Sequence, residues 1–338
     1  MIAMGANPLV TIAIPTYNRA GSYLPQALQS ALGQTYPNLD IVVADNCSSD
    51  GTEAIVRGLV DSRVRYFRHT VNIGAHANSK FCLEQARGVY FLLLQDDNVT
   101  DEDFIDTCMR AADYRTDIGL IRTGMRWIDA EGKVVGEGLN LVGDLPLEEF
   151  FLGWFNGRTP MHLCSTLFNT TRLKELGGFN SKHHLFDDII AEVWIAANCK
   201  RIDVPDIKAS WRHHSNTVTA SAGISSWCEE SKILLDVVCS LTHESKVALI
   251  KNAGIRFFVG HNYRIAKKIR SPVSRLIAYA TILREFDYPF SLFISLVIST
   301  ALSRPVHSLK LGIKKALQMT GLWLKIDAFR KSLQESQR

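Results

Sequence analysis

Residues 89–98, VYFLLLQDDN, decide how this chain is read. Six apolar or aromatic residues in a row fit a strand covered on both faces, the kind a parallel sheet contains. The run then breaks into four polar residues, two of them aspartates. Upstream the same punctuation recurs: residues 10–15 (VTIAIP) lead into Thr16, Tyr17, Asn18 and Arg19, and residues 40–44 (DIVVA) into Asp45, Asn46, Cys47 and Ser48. Between them Leu24, Ala27, Leu28, Ala31 and Leu32 recur at helical spacing. Asp50 and Glu53 stand at capping-box spacing before Ile55, Val56, Leu59 and Val60. A short strand is expected at 64–68 and a helix after 72–74, through Phe81 and Gln85. Four strands separated by helices predict a mainly parallel, right-handed wound sheet. Ligands of such sheets bind beyond the carboxyl ends of the strands, so the three polar clusters should converge on one crevice.

Composition narrows the function classes. The chain has 338 residues, 46% hydrophobic and 21% charged, with 22 Gly and 10 Pro, which excludes disordered and low-complexity proteins and provides a large core. Seven scattered cysteines without a C-x-x-C pair signal neither a disulfide framework nor a zinc ribbon, and read as buried small hydrophobes. No G-x-G-x-x-G follows the first strand and no G-x-x-x-x-G-K-[ST] occurs, so glycine loops do not cradle phosphates here. A bound diphosphate then needs a cation, and carboxylates to hold it; Asp96 and Asp97 are the candidates. Thr100 and Asp103, at capping-box spacing, are expected to cap the next helix, which leaves the aspartate doublet spare.

Charge is unevenly spread. Residues 240–338 carry 17 Lys+Arg against 5 Asp+Glu, while residues 1–239 carry 21 against 29. An acidic front suits a metal site, and a basic rear interleaved with aliphatic runs suits an anionic lipid surface rather than nucleic acid. The first residues lack the pattern of a secretory signal. The uncharged stretch 288–303 is 16 residues, short of the roughly 20 that span a bilayer. A cytoplasmic protein, peripheral on the inner face of the plasma membrane, is the expectation.

IPTYNR (14–19), DNCSSDGT (45–52), NIG (72–74) and LQDDN (94–98), extended by GGF (177–179), FDD (186–188) and WRHHSNTVT (211–219), resemble the inverting family 2 glycosyltransferases. The likeness is to non-processive members of the bacterial polysaccharide or lipopolysaccharide type, over residues 8 to 220. It implies an α/β GT-A fold, Rossmann-like, with a mainly parallel sheet flanked by helices and a C-terminal helical extension. Residues 1–100 would be the nucleotide-sugar-binding half, 101–238 the acceptor-binding half, and 239–338 the basic, apolar extension. It also implies a nucleotide-sugar donor, with UDP the expected nucleotide, a Mn2+ or Mg2+ cofactor, and a glycan or lipid-linked saccharide acceptor.

Carried onto this sequence, Tyr17 resembles the aromatic that packs on the base and Asp45 the acid that accepts from the base ring N–H. Pro15, Arg19 and Gly74 complete the donor site, and Asp96 contacts sugar or ribose. Asp97 resembles the metal-ligating second Asp of D-x-D, with Gln95 standing where the first would be. His214, or His213 if the register slips, matches a late histidine that reaches the diphosphate or metal. Asp188 is the expected general base, with Asp187 orienting it or binding acceptor hydroxyls. Arg122, Trp127, Trp154 and His162 are candidates for reading the acceptor. A processive synthase is not expected, since Q-x-x-R-W is missing. The rivals are a catalytically silent sugar-nucleotide-binding protein and a nucleotidyltransferase; the latter needs a basic glycine loop, and TYNRAGSY has one arginine.

Overall fold

A computed structural model describes residues 7–214 and 222–302. Strands and helices alternate first: β1 (Val10–Thr16), α1 (Leu24–Leu32), β2 (Leu39–Asp45), α2 (Thr52–Arg57), β3 (Val64–Arg68), α3 (Ala75–Gln85) and β4 (Tyr90–Leu93). β1 pairs in parallel with β2 and with β4, and β2 with β3. Thr16 lies opposite Asp45 and Ala13 opposite Leu93, so the polar ends of the strands stand side by side. β1, β2 and β4 are almost wholly buried in a core that includes Leu24 and Leu28 of α1 with Phe104 and Ile105, while the edge strand β3 is only partly covered.

The sheet then changes character. After β5 (Val99–Thr100) and α4 (Phe104–Ala111) comes the long β6 (Ile118–Ile128), which turns back as a hairpin into β7 (Val134–Gly138). α5 (Leu147–Phe155) leads through a short turn to β8 (Thr166–Asn169), followed by α6 (Thr170–Glu175), α7 (Asp187–Asn198) and β9 (Lys200–Arg212). β8 wedges antiparallel between β4 and β6, and β9 runs parallel to β6. The order is β3-β2-β1-β4-β8-β6-β9-β5, a nine-stranded mixed sheet with β7 on β6.

Both expected capping boxes are corrected. Asp50 accepts from the Thr52 N–H (3.0 Å) and from Ala20, while Glu53 turns to Arg57. Asp103 makes no side-chain cap for α4 and instead takes Lys208 at 2.6 Å, and Thr100 sits in β5. Glu53 and Asp103 each take a charged partner in place of a backbone amide.

Three further helices, α8 (Ile224–Ser240), α9 (Val247–Ala266) and α10 (Pro272–Glu285), follow the sheet. Trp154 of α5 packs against Phe257 and Phe258 of α9, ring centroids 5.0 and 5.9 Å apart. Gly254 is required there, because a Cβ would meet Leu235 at 2.3 Å. The chain divides into two compact units, Met1–Ile282 and Leu283–Arg338; the second contains α11 (Phe290–Leu302). Residues 215–219 of the WRHHSNTVT motif and 303–338 of the basic extension lie outside the described residues. No helix among the described residues is long and apolar enough to cross a membrane.

Candidate active site

The crevice assembles at the strand ends. Asp45, the last residue of β2, is fully buried; its carboxylate accepts from the Tyr66 hydroxyl (2.6 Å) and the Ser48 N–H (2.8 Å). Burial and this carboxylate together raise the Tyr66 hydroxyl well above its ordinary value. Ser48 Oγ in turn accepts from the Asn18 N–H, and Asn18 Oδ1 from the Ser49 N–H, which sews the loop after β1 to the loop after β2. Tyr17 stands 45% exposed at that seam, with Pro15 one step back in β1. Asn46 donates to Asn72 and accepts from the Ile73 N–H, so the NIG turn is held over the same loops. Gly74 has φ 88° and ψ 156° at the N-terminus of α3, a conformation essentially confined to glycine.

The turn after β4 carries the doublet. Arg19 Nε lies 3.8 Å from Asp96 Oδ1. Burial lifts the Asp96 carboxyl to about 6, and the neighbouring Asp97 charge adds to the rise. Asp97 Oδ2 stands 2.9 Å from His214 Nε2 across 117 residues of sequence. An oxygen and a nitrogen at that separation have the spacing of adjacent ligands on one cation. Gln95, in the place of a carboxylate, accepts from Asn98 Nδ2 at 2.9 Å. His213 faces away, 3.5 Å from Lys268 Nζ, so the histidine that meets the doublet is His214.

Arg212 organises this corner and is a residue the motif reading passed over. It is 2% exposed, and its Nε donates to the Asp97 carbonyl (2.9 Å) and its Nη2 to Gln26 (2.6 Å), while Asn98 Oδ1 accepts its N–H. Its guanidinium lies 4.6 Å over the Tyr23 ring, which also packs 5.1 Å from His214. The end of β9 is thereby bolted to the QDDN turn. An arginine two residues before the histidine was the available signal.

On the other side, Asp188 in the first turn of α7 is half-buried. Burial pushes its carboxyl up to about 6, with the Asp187 charge contributing. The Asp97 and Asp188 charges both reach the buried Cys164 thiol, which burial raises first and these carboxylates raise further. Asp187 turns the other way: its Oδ2 is 2.8 Å from His76 Nδ1, and His184 Nδ1 lies at 3.3 Å. Neither histidine was singled out from the sequence.

Two acceptor-reading candidates are core residues. Arg122 is fully buried, paired with Glu192 and Asp203, each at 2.9 Å, and Trp154 is only 5% exposed within the aromatic cluster. His162 is driven down to about 4 by burial and accepts the Cys164 N–H. Trp127 packs over Gly136 and Gly138 of the hairpin.

Carboxylates, a histidine and an exposed aromatic gather beyond the ends of wound parallel strands, the place where open α/β sheets bind their ligands. Residues 11–126 match the model of the Glycosyl transferase family 2. The chain is 28% identical over 176 residues to the GalNAc(5)-diNAcBac-PP-undecaprenol beta-1,3-glucosyltransferase of Campylobacter jejuni, covering 50% of this chain and 55% of that one. It thus spans about half the length of that curated relative. Among solved structures it resembles S. aureus TarS 1-349 in complex with UDP-GlcNAc, with a TM-score of 0.57, 14% identity, and coverage of 87% and 92% of the two chains. It also resembles the mannosyltransferase PcManGT of Pyrobaculum calidifontis in complex with GDP-Man and Mn2+, with a TM-score of 0.50, 17% identity, and coverage of 96% and 86%. The likeness to family 2 glycosyltransferases is thus carried by residues 11–126, and the chain has the GT-A fold.

Proposed function

We propose that this protein is a non-processive, inverting glycosyltransferase that moves a sugar from a nucleotide sugar, UDP-linked, to a hydroxyl of a glycan or lipid-linked saccharide. The observation that carries the reading is the Asp97–His214 pair, two residues from distant motifs meeting at 2.9 Å at the end of β4. Residues 1–100 form the donor half, with Tyr17 packing on the base, Asp45 accepting from its ring N–H, and Pro15, Arg19, Gly74 and Asp96 around sugar and ribose. Residues 101–238 form the acceptor half.

Asp97 and His214 would hold Mn2+ or Mg2+; the imidazole favours Mn2+. When bound, such a cation offsets the charge of the departing diphosphate. Asp188 accepts the proton of the acceptor hydroxyl, a task for which a carboxylate lifted toward neutrality suits it better than an ordinary one. Asp187 stays on the acceptor side, oriented by His76 and His184.

The acceptor is reached at an anionic membrane surface on the cytoplasmic face. Val273, Leu276 and Ile277 of α10 are exposed, and the exposed Lys267, Lys268 and Arg270 precede them. Leu276→Ser/Ile277→Ser should lower co-sedimentation with anionic vesicles; unchanged binding removes α10 from this role.

Ranking UDP-, GDP-, CDP- and dTDP-sugars by thermal shift, with and without Mn2+, tests the donor, since a ligand of the native state raises Tm with its affinity. A UDP-sugar should give the largest shift, and Mn2+ should enlarge it. No shift with any donor defeats the reading. Mn2+-dependent UDP binding with neither hydrolysis nor transfer identifies instead the silent binding protein that Gln95, turned to Asn98, would fit.

A further inference from the structure

We propose that His76, His184 and Asp187 form a second divalent-cation site, separate from Asp97 and His214, that takes a borderline transition metal such as Zn2+, Co2+ or Ni2+ and joins the start of α3 to the start of α7. The three donor atoms all lie within 4.8 Å of one another. Asp187 Oδ2 is 2.8 Å from His76 Nδ1 and 3.3 Å from His184 Nδ1. A metal that keeps nitrogen and oxygen ligands about 2.0–2.2 Å away sets neighbouring ligands about 3 Å apart, which is the spacing found.

The imidazoles are stacked, 3.7 Å between centroids at 28°, with both Nδ1 atoms aimed at one carboxylate. Two neutral imidazoles donating to the carboxylate would also satisfy these contacts, and the titration below separates the two readings. A shared cation replaces both protons and needs both lone pairs directed as they are.

The ligands are also held in advance. His184 is a non-glycine residue at φ 55°, a left-handed conformation that persists only when its surroundings fix it. Its neighbour is clamped from α8: the His183 N–H donates to Glu230 at 2.6 Å, and His183 Nε2 meets Glu229 at 2.7 Å. His76 is set by the Gly74 turn two residues earlier. Asp187 is mostly covered, whereas His76 and His184 are 30% and 47% exposed, so water or a substrate oxygen completes the coordination. Two nitrogens and one oxygen select borderline metals over Mg2+ or Ca2+, which prefer oxygen alone.

The site stands on these three side chains and not on the role given to Asp188. Its consequence is mechanical: a cation there would fix the first turn of α7, where Asp188 sits. The test uses the full chain stripped with chelator, in an Asp97→Ala/His214→Ala background that removes the other cation pair. Titration with Co2+, read by visible absorption and by the rise in Tm, should show one saturable site per chain, and Zn2+ should displace it. Adding His76→Gln or His184→Asn should weaken Co2+ binding at least about tenfold. Asparagine tolerates the left-handed backbone at 184, so metal-free melting should match the parent and exclude misfolding. No Co2+ binding in the background protein, or binding that survives both substitutions, overturns the proposal. The donor screen is independent of either result.

Discussion

The turn after β4 and the head of α7 each carry two adjacent aspartates, and the fold treats the two pairs in mirrored fashion. In the first, both members are partly covered, Asp96 is raised to about 6, and Asp97 is met by an imidazole. In the second, the half-buried Asp188 is raised to about 6, and Asp187 is met by two imidazoles. One carboxylate of each doublet is thus kept poorly solvated while its twin is given histidine. What differs is position: the histidine-bound member comes second in the turn after β4 and first at the head of α7. Doublets that look interchangeable in sequence are therefore assigned opposite orders by where their histidines come from.

Asp97→Ala should have the largest effect. It removes the only carboxylate that meets His214 in the described residues, so donor turnover and Mn2+-dependent UDP binding should both disappear, with calorimetry as the readout. Unchanged UDP affinity in Mn2+ would break the comparison at its donor end.

Arg122→Ala comes next, and acts on stability. It leaves Glu192 buried without its cation and Asp203 with Arg201 alone, and breaking a buried pair in this way costs about 3–5 kcal/mol. Denaturant unfolding should show that loss. If Arg122 instead read the acceptor, stability would be kept and only activity would fall.

Asp188→Asn should leave donor binding intact and slow transfer by at least about 10²-fold, the cost of losing a positioned general base. Asp187→Asn, measured beside it, sharpens the contrast. A similar loss with intact donor binding in both variants would make the doublet one unit, whereas a loss confined to Asp188→Asn would separate the base from its histidine-bound twin.

The parallel half of the sheet was legible because each helix between β1 and β4 returns the chain to an adjacent strand, and local periodicity records that. The antiparallel half was not. β8 is four residues, TLFN, too short to carry a period, and its partners Tyr90 and Leu120 are distant in sequence. Arg122 misled for a related reason: an arginine in an apolar run reads as a ligand contact until Glu192 and Asp203, 70 and 81 residues on, are brought against it. His76 and His184 were illegible singly, since only their convergence on Asp187 gives them a role. Asp97 and His214 could be named together because each belongs to a motif with its own spacing, and the fold brings them to 2.9 Å.

Gly74→Ala should have the smallest effect and probes where the two regions meet. The NIG turn leans on Asn46 beside Asp45, and two residues later His76 reaches Asp187, so one backbone bend serves both the loop after β2 and the doublet of α7. A Cβ at Gly74 meets no atom within 4 Å, so the cost is conformational, about 1–3 kcal/mol for a side chain forced into that region. If that strain is relieved by shifting the turn, UDP affinity and the His76–Asp187 contact should weaken together while Tm falls modestly. A variant that loses donor affinity with its melting and Co2+ binding unchanged would make Gly74 a donor contact alone and uncouple the two ends of the crevice.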